Sequence, residues 1–238
     1  MIRVSAPEVR ARLGFLGLTE EDLGVISAWE KVCRNACDGL VDEFYDHILA
    51  NPTTSAIVEK HTTVAKQRPL LTRYILTMFA GRVDDEYLEY RHRVGKRHDE
   101  IDLDSSWYVA MYGVIQRALT DAVRDAGASS AELGRFSQAL QSLIRVDIAL
   151  CMGALMDSRR DQLEEQQRLE REKAEQACLA INQLIEEVRN GKLDARGDAD
   201  AFDGGWRELV GGVNDLIDAF VAPINVTAEY VDRISKGD

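Results

Sequence analysis

From Ser129 to Asn190 the chain contains no proline and few glycines. The run reads as one helix, far longer than the roughly 8–20 residues usual in a globular domain. Its composition changes along its length. Leu140, Leu143, Ile144, Val146, Ile148, Leu150, Met152 and Leu155 give the first part apolar surface on several sides, which suits a packed core. From Asp157 to Glu175 charged residues dominate. A helix polar all round survives as a connector or in a paired coil. Apolar residues return at Ala177, Ile181, Leu184 and Val188, the spacing of a coiled-coil seam. The reading is a helical domain over 1–156, a helical linker over 157–176 and a dimeric helical module over 177–238.

The rest of the chain is also helical in period, without a convincing alternating strand, so the fold class is all-α. Thr19 followed by Glu20, Glu21 and Asp22 reads as a cap with acids in the first turn. The helix it opens is expected to run to Asn51, with Pro52 starting the next. A helix from Val64 to Phe79 is expected to kink or restart at Pro69. Another begins near Asp84 and reaches His98, and one from Asp104 stops at Gly127. After Gly191 a polar connector anchored by Leu193 and Phe202 leads to a second amphipathic stretch, expected to restart at Pro223. The segments ending at Gly191 and at Gly237 are alike, each with an apolar residue three places before the glycine. This reads as one repeat and the start of a second, and implies a longer protein.

The net charge of −12 argues against nucleic acid or an anionic membrane as the main partner. No long, uninterrupted apolar run or signal peptide is visible, so a cytoplasmic protein without a membrane span is expected. The cysteines Cys33, Cys37, Cys151 and Cys178 form no CxxC pair and read as reduced thiols. No phosphate loop, GxSxG, HExxH or zinc spacing occurs, so no catalytic residue is assigned.

Of the histidines His47, His61, His92 and His98, the last stands out. It lies at a helix end, with Val94 and Tyr87 expected on its face. Trp107, Tyr108, Met111 and Tyr112 open the next helix as a wall of large side chains. A neutral imidazole in such a place is a metal donor. His61 is expected at a helix start, and His47 and His92 on other faces. The basic residues Arg91, Arg93, Lys96 and Arg97 read mostly as a solvated face, with pairing to an anionic group as the other reading.

The run Arg91-His92-Arg93-Val94-Gly95-Lys96-Arg97-His98-Asp99-Glu100-Ile101-Asp102-Leu103-Asp104-Ser105-Ser106-Trp107-Tyr108 resembles the globin domain of the globin-coupled sensors. So do Phe44-Tyr45 and the stretches at His61–Val64 and Tyr74–Gly81, and the likeness spans about residues 10 to 155. The resemblance implies a globin-like fold holding haem b, with His98 as proximal iron ligand. It makes Tyr45 the donor to bound O₂, with Gln67 as a second distal group. CO, less charged, would gain less from Tyr45 than O₂. Phe44, Val64, Leu70, Leu71, Met78, Val94, Ile101, Trp107 and Tyr108 are the implied cofactor contacts. Gln67 and Leu70 occupy the two distal positions, and the threonine some members carry at the second is absent.

From about Ala177 the chain resembles HAMP signalling modules, which are parallel dimeric four-helix bundles. Together the resemblances imply a homodimeric O₂ sensor of an aerotaxis transducer, also open to CO and NO, feeding a downstream signalling domain or a chemotaxis kinase complex. A globin-coupled histidine kinase or diguanylate cyclase is the alternative output. A haem enzyme, such as a nitric oxide dioxygenase or peroxidase, and a haem-free interaction module are the other classes.

Overall fold

A computed structural model of the chain describes residues 1–237. It divides into two compact units, Met1–Arg160 and Asp161–Asp238. The first is built from β1 (Ile2–Arg3), α1 (Pro7–Phe15), α2 (Glu20–Ala28), α3 (Glu30–Ala50), α4 (Pro52–His61), α5 (Val64–Met78), β2 (Val83–Asp84), α6 (Asp85–Glu100), α7 (Ser105–Asp125) and the start of α8 (Ser130–Arg189).

Local chemistry explains most helix starts. Thr19 and Asp22 form a reciprocal capping box on α2. Asn51 caps α4 with Pro52 in its first turn, Thr63 caps α5, Asp84 caps α6 and Asp104 caps α7. α3 packs on α5 and α7. The core gathers Cys33, Leu40 and Val41 of α3, Ile75 of α5, Leu119 and Val123 of α7, and Phe136, Leu140, Leu143 and Val146 of α8, all essentially inaccessible. Burial of each such large side chain contributes about 1.5–3 kcal/mol.

The structure differs from the local expectations at four places. The helix from Thr19 breaks at Trp29, where no proline or glycine marks the turn. The break lets Leu23 and Ile26 of α2, as well as Cys33 and Cys37 of α3, reach one core. Of the kink or restart expected at Pro69, the restart does not occur: α5 continues through it as one helix, held by its Thr63 cap and by buried Tyr74, Ile75 and Met78. His61 ends α4 rather than starting a helix. Two short strands pair in parallel, Ile2 with Val83 and Arg3 with Asp84, too short for alternation to register.

In the second unit, the seam residues Ala177 and Leu184 of α8 are buried. The connector folds onto α9 (Gly204–Ser235) through Gly197. Its amide donates to Asn214 Oδ1 and its carbonyl accepts from Asn214 Nδ2, both at 2.8 Å. A Cβ at Gly197 would lie 2.8 Å from the Val210 side chain, so the close approach requires glycine. α9 runs through Pro223 without a restart.

Length and composition alone do not exclude a membrane span. α8 and α9 are both long and apolar enough by length and composition. The apolar window of α8 is 56% buried inside the protein. That of α9 is only 11% buried. α9 also carries Asp215 and Asp218, and carboxylates are costly in hydrocarbon.

Candidate functional site

His98 sits in the last turn of α6. The turn closes when the Leu103 amide donates to the His98 carbonyl at 3.0 Å, with Asp102 in the left-handed region at φ 52°. Aspartate tolerates that region better than most residues. The His98 ring lies 4.8 Å from the Tyr108 ring, tilted by 52°. Its Nδ1 is buried and has no hydrogen-bond partner among the described residues. Burial pushes the imidazole down to about 4, so it is neutral near pH 7. A neutral imidazole with an unsatisfied ring nitrogen has the chemistry of a metal donor.

Tyr45 is buried on α3, and its ring meets the Phe44 ring edge-on at 5.5 Å. Burial, partly opposed by Arg68, pushes the phenol up to about 12, so it keeps its proton. Its hydroxyl makes no hydrogen bond to the described residues, and it remains available as a donor.

The other expected contacts are spread over α3, α5, α6 and α7 and the α6–α7 turn. Phe44, Val64, Leu71, Val94 and Tyr108 are half-buried against the core. Ile101 and Trp107 are half-buried. Leu70 is 53% exposed, and Met78 is enclosed by protein with no surface left for a ligand. Gln67 is engaged elsewhere: its Nε2 donates to Thr62 Oγ1 at 2.9 Å. The structure thus brings His98 and Tyr108 together, and Phe44 with Tyr45. Among the described residues no ring contact or hydrogen bond joins the two groups. A cavity of about 240 Å³ between α1, α6 and α8 is lined by His92, Leu88 and Leu150 among others, and by none of the expected cofactor contacts.

Behind His98 lies a polar layer that the sequence reading missed. Arg91 is wholly buried rather than part of a solvated face. Its guanidinium carbon stands 3.8 Å from the centre of the Tyr74 ring and 4.1 Å from that of Tyr87. Arg91 Nε is 3.1 Å from Asp147 Oδ2, and both side chains are 0% exposed. Tyr87, expected as apolar surface beside His98, instead donates its hydroxyl to Asp147 Oδ1 at 2.5 Å. The Tyr74 hydroxyl reaches Asp147 at 3.3 Å and Tyr112 at 2.5 Å, and Tyr112 reaches Tyr108 at 2.6 Å. Burial works against the Arg91 charge, but Asp147, Tyr87 and Tyr74 outweigh it and raise its pKa. Burial raises the tyrosines of this layer too, so they stay protonated. One signal was present in the sequence: Asp147 is an acid inside an apolar stretch, and a buried acid needs a partner. The remaining basic residues behave as expected of a surface, with Arg93 paired to Glu89 and Arg97 to Glu100.

The family model for Protoglobin matches residues 5–160. The chain belongs to the protoglobin family. A model for the HAMP domain matches residues 201–238, which takes in α9 and leaves out the 177–190 helix. The protoglobin chain is 28% identical over 168 residues to the heme-based aerotactic transducer HemAT of Halobacterium salinarum, an alignment covering 66% of this chain and 34% of that protein. The chain therefore spans about a third of the curated relative it matches. The globin domain of the Geobacter sulfurreducens globin-coupled sensor superposes with a TM-score of 0.55 at 18% identity, over 62% of this chain and 95% of that one. The likeness places the fold of the protoglobin unit among globins.

Proposed function

We propose that this chain is the sensing part of a haem-based O₂ receptor that signals through a dimeric HAMP module. The observation that carries the reading is His98: a neutral, half-buried imidazole whose enclosed Nδ1 has no partner among the described residues, at the end of α6 and against Tyr108. Such an orphan costs about 1–3 kcal/mol unless something other than protein meets the ring. The residues therefore fit a haem b, which His98 would hold and which Val94, Ile101, Trp107, Tyr108, Phe44, Val64, Leu70 and Leu71 would line. Bound there, haem would supply an iron able to bind a diatomic gas.

The chain's own residues supply selectivity. Tyr45 keeps its proton and has an uncommitted hydroxyl, so it can donate to a ligand that carries partial negative charge. Gln67 is committed to Thr62 and would have to leave that bond to act as a second donor. The Arg91–Asp147 layer fixes α5, α6, α7 and α8 together, which holds His98 in place.

Signalling follows from the second unit. Leu179 and Ile185 of α8 and Leu216, Phe220 and Ile224 of α9 are exposed, and such a face calls for a partner helix. A second copy of the chain is that partner. The relative is a transducer by name, so a cytoplasmic chemotaxis assembly is the proposed output and no catalysis is assigned.

The test is gas binding. Apoprotein supplied with haemin, reduced and desalted, should form an O₂ adduct that reverts to the deoxy spectrum under argon. Immediate, irreversible oxidation in air would count against a sensor.

A further inference from the structure

α6, which carries His98, is fastened to α8 on three successive turns. At the first, Arg91 pairs with Asp147, and the Cys151 thiol donates to the Arg91 carbonyl at 3.2 Å. At the second, the two helices touch through their backbones at Gly95. A Cβ there would lie 2.4 Å from the Cys151 carbonyl oxygen and 2.9 Å from Ala154 Cβ, so only glycine fits. At the third, Asp99 accepts from Arg159 Nε at 2.9 Å and from the Ser158 hydroxyl. The Asp99 side chain is 3% exposed, Arg159 48%.

The three fastenings differ in kind. The Arg91–Asp147 end lies in a layer of tyrosines and has no room to move. Gly95 permits rotation but no separation. The Asp99–Arg159 end is half open to solvent, next in sequence to His98, and able to exchange partners. Arg159 already lies 3.5 Å from Asp102 in the following turn. Packed helices move between discrete arrangements rather than deforming smoothly.

We propose that Asp99 and Arg159 are positioning residues that pass a displacement of the His98 turn to α8, with Gly95 as the pivot. This rests on the haem-sensor reading above. A purely structural clasp would stiffen α8 equally in every ligand state. A positioning clasp makes α8 respond to the ligand.

Hydrogen–deuterium exchange of the full, haem-loaded, reduced chain with and without CO separates the two. CO should change amide exchange in the α8 segment 150–160 of the wild type. Asp99→Asn and Arg159→Ala should each abolish that difference while leaving haem content and the CO-bound absorption spectrum unchanged. Arg159→Lys should restore part of it. Asp99→Asn is isosteric and carries the test if Arg159→Ala fails to fold. A wild-type segment silent to CO, or a response that survives in both variants, overturns the proposal alone. A chain that takes up no haem overturns it together with the sensor reading.

Discussion

Replacing Asp147 by alanine is expected to cost about 3–5 kcal/mol of folding stability, the effect of stranding a buried charge. Arg91 would remain with its guanidinium between the Tyr74 and Tyr87 rings, out of reach of water and without its carboxylate. The Tyr87 and Tyr74 hydroxyls would lose an acceptor at the same time. Arg91→Met alone should also destabilise, because it leaves the Asp147 carboxylate buried with only hydroxyl donors. The double variant, Arg91→Met with Asp147→Ala, should recover part of the loss, since removing both charges removes the desolvation cost. Urea denaturation of the four proteins gives the cycle. A loss below about 1 kcal/mol for Asp147→Ala, the range of a surface pair, would show that this layer does not hold the helices.

Tyr45→Phe should weaken O₂ binding by about ten- to a hundredfold, mostly through faster release. A hydrogen bond to a charged acceptor contributes about 1.5–3 kcal/mol, and about 1.4 kcal/mol is tenfold. The ring stays, so the packing against Phe44 is kept and only the donor goes. CO accumulates little charge and should be held almost as tightly as before. Flash photolysis of both adducts measures the two release rates. Equal losses for O₂ and CO would mean that Tyr45 acts through the shape of its surroundings and not through its hydroxyl.

How much of this was legible depended on how local the cause was. Asp84, Asp104 and Thr19 cap their helices through residues two or three positions away, so those starts could be read directly. The long helix α8 was legible because nothing in it breaks a helix. The break at Trp29 was not, because it satisfies a core assembled from distant segments. Pro69 and Pro223 suggested restarts that packing and caps override. At the site, His98 and Tyr108 stood out through their place at a helix end and through family resemblance, and the structure sets their rings in contact. Arg91 looked like its basic neighbours. What distinguishes it is Asp147 on another helix, and no local pattern around Arg91 announces that partner. Gln67 has a distal position in the pattern, but a neighbouring threonine claims its amide.

His98, and no other histidine, is expected to hold the haem. The most direct test is the absorption spectrum of purified wild type, His98→Ala and His92→Ala after equal haem loading, in ferric, reduced and O₂-exposed forms. A sharp Soret band and a stable oxy spectrum are expected in the wild type and in His92→Ala, with loss of both in His98→Ala. A His98→Ala protein with an unchanged Soret band, or a wild type that stays colourless after haem addition, would contradict this assignment.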